Sequence, residues 1–298
     1  MAVSMSEVSA GMAALVAQSS PTIVRVEGRR RLAASGVIWS ADGVIVTANH
    51  VVERDEEIQV GLPDGSIVAA TVVGRDPGID LAVLRVPSTG SAAAEWLESS
   101  ELKVGHIMLA LGRPGQSTQA TLGIVSALGG EWRSHAGGTL HAYLQTDVVM
   151  YPGFSGGPLV AADGRFAGMN TSGLTRGVSV TVPTETLRRA VETILTHGHV
   201  PRGYLGIGVQ PVRLTDALQE QVNQEFGLMV MSVEANGPAA QAGLMQGDVL
   251  LKLGETPVHH VDALQAVLRS AQVGEAQPVQ LLRGGALQQI AVTIGSAA

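Results

Sequence analysis

Between Pro21 and Val182, short runs of Val, Ile, Leu and Thr alternate with turn residues, and little repeats at helical spacing. Runs of that length, rich in β-branched residues and bounded by Gly, Pro, Asn and Asp, read as strands. The pattern predicts six strands over Thr22–Glu27, Gly36–Trp39, Val44–Ala48, Glu57–Leu62, Ile67–Gly74 and Leu81–Val86. Six more are predicted over Ile107–Leu111, Ala120–Leu128, Leu140–Thr146, Pro158–Val160, Phe166–Thr171 and Val178–Val182. Ala41-Asp42-Gly43 and Pro63-Asp64-Gly65 are turn signals, because Asp-Gly pairs tolerate positive φ. Short strands at fairly even spacing imply all-β barrels or a sandwich, and two sets of six imply two similar barrels side by side.

Helical spacing returns at both ends of this region. Val8, Met12, Leu15 and Val16 predict an amphipathic helix over Met5–Gln18. Leu187, Val191, Ile194 and Leu195 form the apolar stripe of a second helix, Thr184–Leu195, with Thr184 as its cap. His197-Gly198-His199-Val200-Pro201 reads as a linker. A unit of about 97 residues follows from Arg202, mixing strands with helices near Leu214–Asn223, Pro238–Ala242 and Asp262–Ala271. The domain boundary is placed near residue 200.

Composition narrows the chemistry. The chain has 298 residues, 45% of them hydrophobic but only 3% aromatic, so aliphatic side chains must fill the cores. No cysteine is present, which excludes thiol catalysis, disulfides and thiolate metal sites. The net charge is −7, and the one basic run, Arg29-Arg30-Arg31, is too short for a nucleic-acid footprint and reads as a solvated loop. No apolar run approaches the roughly 20 residues of a membrane span.

Pro152-Gly153-Phe154-Ser155-Gly156-Gly157-Pro158-Leu159 is the most informative stretch. A nucleophilic serine needs an exposed hydroxyl beside backbone N–H groups that stabilise an oxyanion, and neighbouring glycines let the backbone fold tightly enough. Alone, the string is also compatible with an ordinary Gly-rich turn. It matches the nucleophile elbow of α/β-hydrolases as well, but that elbow leads into a helix. Here a strand and the Asp163-Gly164 hairpin follow, and parallel βα units are missing, so the elbow reading fails.

A serine nucleophile requires a general base, usually His, oriented by a carboxylate. Of eight histidines, His50 ends the apolar run Val44–Ala48 and Asn49. Such a polar break is a packed core histidine or a functional one, and the run alone leaves both open. His197, His199, His259 and His260 read as surface residues. Asp80 opens the strand Leu81–Val86, with Asp76 as a nearby rival.

The order His50, Asp80, Ser155 is that of chymotrypsin-like enzymes. With their flanks, Thr-Ala-Asn-His-Val-Val, Asp-Leu-Ala-Val-Leu and Gly-Phe-Ser-Gly-Gly-Pro-Leu resemble the HtrA/Deg family of serine proteases. The resemblance implies a mainly β chain. Residues 1–199 would be a trypsin-like protease domain, with one six-stranded barrel over 20–105, a second over 106–183 and the helix 184–195. Residues 200–298 would be a small α+β PDZ domain. It further implies His50 as base, Asp80 as its orienter, Ser155 as nucleophile, and an oxyanion hole on the backbone of Gly153, Phe154 and Ser155, chiefly the Gly153 and Ser155 N–H groups. An acyl-enzyme would form with no metal or organic cofactor. The primary pocket would be lined by Met150, Tyr151, Val178 and Val180, which implies an apolar or small residue on the acyl side of the cut.

One position departs from the family: Phe154 stands where Asn is usual, and this bears on how readily the loop changes between active and inactive forms. In the C-terminal unit, Tyr204-Leu205-Gly206-Ile207 resembles the carboxylate-binding loop of PDZ domains, where free N–H groups capture a peptide C-terminus and the next strand accepts it as an added strand. Leu264, Val267 and Leu268 would line the side-chain pocket or be plain core. Expected partners are unfolded or misfolded protein chains at the protease site, peptide C-termini at the PDZ domain, and two further copies in a homotrimer. A peptide-binding scaffold with a silent site is the competing reading. The N-terminal segment has no Lys or Arg before its apolar stretch, unlike a secretory leader, so the expectation is a cytoplasmic location, although the family often works outside the cytoplasm.

Overall fold

The computed structural model describes residues 4–30, 32–88, 93–175, 177–198, 202–271 and 273–297. Arg31 and residues 199–201 of the expected linker lie outside this set. The chain divides into two compact units, Met1–Val200 and Pro201–Ala298.

The first unit opens with helix α1 (Met5–Ser19). Ser4 caps it by accepting from the Glu7 N–H, while the Glu7 carboxylate accepts from the Ser4 N–H, a reciprocal box that satisfies two otherwise orphaned donors. Met12, Leu15 and Val16 pack against the main core of this unit, to which both barrels contribute. The first barrel comprises β1 (Ile23–Glu27), β2 (Ala34–Ser40), β3 (Val44–Ala48), β4 (Ile58–Gly61), β5 (Ile67–Asp76) and β6 (Leu81–Arg85). It closes in the order β1-β2-β3-β6-β5-β4 with antiparallel neighbours throughout. Both Asp-Gly turns form as the sequence predicts, with Gly43 at φ +95 and Gly65 at φ +91. A Cβ at Gly43 would stand 2.1 Å from the Val86 carbonyl oxygen.

The second barrel is built from β7 (Ile107–Gly112), β8 (Gln119–Gly129), β11 (Tyr143–Thr146), β12 (Pro158–Ala161), β13 (Phe166–Thr171) and β14 (Ser179–Pro183). The short pair β9 (Trp132–Arg133) and β10 (Thr139–Leu140) forms a separate hairpin between β8 and β11. The barrel closes in the order β11-β14-β13-β12-β7-β8. Helix α2 (Thr184–His197) follows and ends on Gly198 at φ +78. Thr184 is not its cap: Pro183 occupies that position, and the buried Thr184 hydroxyl donates to the Phe166 carbonyl at 3.1 Å. Leu187, Val191 and Ile194 join the core, while Leu195 is exposed.

The second unit contains β15 (Arg202–Tyr204), β16 (Ile207–Arg213), α3 (Asp216–Val222), β17 (Phe226–Val233), α4 (Pro238–Gln241), β18 (Val249–Leu253), β19 (Thr256–Pro257), α5 (Val261–Ser270), β20 (Ala276–Arg283), β21 (Ala286–Thr293) and β22 (Gly295–Ala297). Its main sheet runs β16-β17-β18-β20-β21, with β19 paired to β18, and β15 pairs with β22. Inside this unit the nearly fully buried Asp248 carboxylate accepts from Arg283 Nε at 2.8 Å, Arg283 Nη2 at 2.7 Å and the Met245 N–H at 2.9 Å. Those contacts, the Arg283 hydrogen bond first, hold the Asp248 pKa below the usual carboxylate value.

Candidate active site

His50 lies in a single 3-10 turn, Asn49–Val51, directly after β3. Every residue of β3 is buried, and its pairing with β2 and β6 fixes where that turn emerges. Asp80 precedes β6 at the end of a tight turn in which the Asp76 and Pro77 carbonyls accept from Ile79 and Asp80 N–H. Its φ is +57, a left-handed conformation uncommon outside glycine, though Asp and Asn tolerate it best. That twist presents its carboxylate to His50. Asp80 Oδ1 accepts from the His50 backbone N–H at 2.8 Å, and Oδ2 lies 2.7 Å from His50 Nδ1. Thr171 Oγ1 also donates to Oδ2. A carboxylate accepts, so Nδ1 carries the proton and Nε2 is left as the base. The rival Asp76 instead accepts from Gly78 N–H within its own turn.

Space for this pair depends on Gly173. A Cβ there would lie 2.5 Å from Asp80 Oδ2 and 2.9 Å from His50 Nδ1. The sequence reading missed Gly173 and Thr171, both of which follow or end β13 more than 90 residues after Asp80. Neither has a local signal, because only the packing of the second barrel against the first brings β13 against β3.

Ser155 sits between β11 and β12 and is 8% exposed. Its Oγ lies 3.2 Å from Ser172 Oγ and accepts from the Ser172 N–H at 3.4 Å. Among the described residues it makes no hydrogen bond with His50, yet both line one open cleft of about 740 Å³. Catalytic hydrogen bonds are often long before substrate binds. Met150, Tyr151, Pro152, Gly153, Ser172 and Glu53 share the lining. So do Arg29 and Arg30, which the sequence suggested as a merely solvated loop. Two expected pocket residues are absent from it: Val180 is fully buried in the barrel core, and Val178 is exposed outside the cleft lining. Strand β14 is buried over Val180–Pro183, so alternation could not say which side chains reach the cleft.

The backbone of the nucleophile loop can be accounted for group by group. Phe154 N–H donates to the Tyr151 carbonyl at 3.0 Å, Gly156 N–H to Asn170 at 2.9 Å and Gly157 N–H to Phe154 at 2.9 Å. Gly153 and Ser155 N–H groups donate to nothing among the described residues. Phe154 therefore supplies no oxyanion donor, a correction to the three-residue expectation. Its ring is fully buried with Val148, Leu159 and Ala110 and meets Tyr151 edge-on at 5.9 Å between centroids. Gly112 makes the room, since a Cβ there would lie 2.9 Å from Phe154 Cδ1. The Asn-to-Phe departure thus points into the barrel, not the cleft. Burying that ring contributes about 2–3 kcal/mol.

In the second unit, the side chains of Leu205 and Leu264 are buried in the core, while Val267 and Leu268 pack at the core edge, partly accessible. Gly206 has φ +74, and the Leu205 and Gly206 N–H groups donate to nothing among the described residues. Tyr204, Gly206 and Ile207 border a shallow concavity with Ser232, Val233 and Glu234.

Two family descriptions match the chain: "Trypsin-like peptidase domain" over residues 34–169 and "PDZ domain" over residues 203–294. A "Probable periplasmic serine endoprotease DegP-like" of Ectopseudomonas mendocina is 36% identical over 289 residues, covering 94% of this chain and 60% of that protein. The chain thus spans about three fifths of the curated relatives it matches. Among solved structures, the "HtrA-type protease AlgW with tripeptide" superposes with a TM-score of 0.62 at 32% identity, covering 96% of this chain and 97% of that one. The serine endoprotease from Yersinia pestis gives 0.65 at 31% identity, with 95% and 97% covered. The cytoplasmic expectation does not stand: the curated relatives are named periplasmic. With peptidase and PDZ matches in succession and solved relatives aligned over nearly their whole length, the chain belongs to the HtrA/DegP-like family of serine endoproteases.

Proposed function

We propose that the chain is an endopeptidase that cleaves unfolded or misfolded proteins outside the cytoplasm through an acyl-enzyme at Ser155. The observation that carries this reading is the cleft in which an oriented His50–Asp80 pair, the Ser155 hydroxyl and two unengaged N–H groups come together. Ser155 Oγ bonds to the scissile carbonyl carbon as His50 Nε2 takes its proton. The carbonyl oxygen becomes an oxyanion, which the Gly153 and Ser155 N–H groups receive. His50 returns the proton to the departing amine nitrogen as the C–N bond breaks. Water then repeats the sequence on the acyl-enzyme and restores Ser155.

Met150 and Tyr151 border the cleft beside Ser155 and support preference for an apolar or small residue on the acyl side. In the second unit, the free N–H groups of Leu205 and Gly206 support capture of a peptide C-terminal carboxylate. The homotrimer belongs to this reading on family likeness alone, and sedimentation velocity tests it. Casein digestion by wild type and by Ser155→Ala tests the chemistry. Wild type should degrade casein and the variant should not, with Val, Ala or Leu peptides cut better than Arg or Lys peptides. If neither protein digests casein while both bind peptide, the silent scaffold is the correct reading.

A further inference from the structure

The proteolytic reading, on which this inference rests, needs the Gly153 and Ser155 N–H groups to face one oxygen. A loop containing Gly153, Gly156 and Gly157 does not hold such an arrangement by itself. Tyr151-Pro152-Gly153-Phe154 has Pro at the second position, Gly at φ +91 at the third, and a hydrogen bond closing the turn. These are the marks of a type II turn. The type I alternative differs mainly by a rotation of the central Pro152–Gly153 peptide, and that peptide carries the Gly153 N–H. Turning it would remove one oxyanion donor while leaving the closing hydrogen bond possible.

One residue of the first barrel fixes the peptides that follow the turn's centre, the frame against which that rotation would have to occur. Ser35, on β2 and fully buried, donates from Oγ to the Gly153 carbonyl at 2.7 Å. The same Oγ accepts from the Arg113 N–H at 2.7 Å. Ser35 N–H donates to the Ser155 carbonyl at 3.1 Å, and the Ser35 carbonyl accepts from Thr47 Oγ1 at 2.7 Å. Ser35 therefore grips the carbonyls of both residues whose N–H groups form the hole, and is itself fixed by its neighbours. From the other side, Phe154 anchors the end of the turn in the second barrel, in the space left by Gly112.

We propose that Ser35 is a positioning residue for the peptidase reaction, holding the Tyr151–Phe154 turn in the form that keeps the Gly153 N–H free, with Phe154 as its anchor. Ser35 touches no reacting atom and acts through Gly153 and Ser155.

The test compares full-length wild type with Ser35→Ala and Phe154→Leu on a chromogenic peptide. Rates are normalised to Ser155 titrated by a fluorophosphonate, so a loss of folded molecules is not counted as a loss of rate. Binding of a fluorescent peptide is measured on Ser155→Ala with and without Ser35→Ala. We expect kcat per titrated site to fall about 10- to 100-fold in Ser35→Ala, with KM and peptide affinity within twofold. Phe154→Leu should show the same split with a smaller loss, about 3- to 10-fold. A kcat within twofold of wild type in folded Ser35→Ala overturns the proposal, as does a loss confined to KM. If Ser35→Ala does not fold, Phe154→Leu decides, and its unchanged kcat overturns the proposal. Wild type no faster than Ser155→Ala would instead overturn the proteolytic reading beneath it.

Discussion

Gly173→Ala probes the tightest point of the candidate site with one methyl group. The new Cβ would lie 2.5 Å from Asp80 Oδ2 and 2.9 Å from His50 Nδ1. Restoring ordinary contact at about 3.4 Å requires the carboxylate oxygen to retreat by about 0.9 Å and the ring nitrogen by about 0.5 Å. Neither group has a free path. Asp80 is pinned by the His50 N–H and the Thr171 hydroxyl, and its backbone already sits in a left-handed conformation. The 2.7 Å hydrogen bond between the pair should therefore lengthen, and the imidazole should tilt away from Ser155. A misplacement of that size costs on the order of 100-fold in kcat, equivalent to about 2.7 kcal/mol of barrier. Gly173 shows no left-handed φ, so alanine adds crowding without a backbone penalty. Peptide hydrolysis at saturating substrate, alongside a thermal melt, makes the measurement. A variant that melts like wild type and keeps kcat within threefold would show that the His50–Asp80 geometry does not depend on the space at Gly173.

Acid should weaken the second unit through Asp248. Its pKa is depressed in the folded state, so its contribution is full above the unfolded carboxylate value near 4 and is lost as pH falls through the lower folded value. The melting temperature of this unit should drop below about pH 4, and Asp248→Asn should lose about 1–3 kcal/mol at pH 7 and flatten that acid limb; a calorimetric pH series checks both. Leu264→Ala should cost about 2–5 kcal/mol in urea unfolding of the second unit, because Leu264 is core. A variant of wild-type stability with weakened peptide binding would return Leu264 to the groove.

Most of the strand pattern was legible because short β-branched runs between turn residues have few other solutions, and the fold class follows from two sets of six. The N-terminal helix was legible because its half-buried side, Val8, Met12, Leu15 and Val16, keeps helical spacing. His50, Asp80 and Ser155 were legible as candidates through chain order and flanking strings. What supports them was not. Ser35 looks like one polar residue in a strand, yet β2 is buried on both faces there and its hydroxyl spans 118 residues to Gly153. Thr171 acts only through the packing of one barrel on the other, and Gly112 only through contacts within the second barrel, and neither kind of contact has a local periodicity. The direction of Phe154 depends on the turn before it, so the sequence tied its departure from Asn to the loop's change of form without showing that its ring packs into the barrel. Val180 failed as a pocket residue because β14 is covered on both sides.

Asp80 carries a consequence for anyone who selects variants of this scaffold. At φ +57 glycine would relieve its backbone by on the order of 1 kcal/mol but would strand the His50 N–H and the Thr171 hydroxyl, whereas asparagine tolerates the same φ and keeps an oxygen to accept from them. Asparagine is therefore the tolerated replacement, and it removes the charge that His50 faces. A library screened for thermal tolerance alone would thus drift toward hardy, inert proteins at this codon, and a screen that retains catalysts must reward turnover in every round.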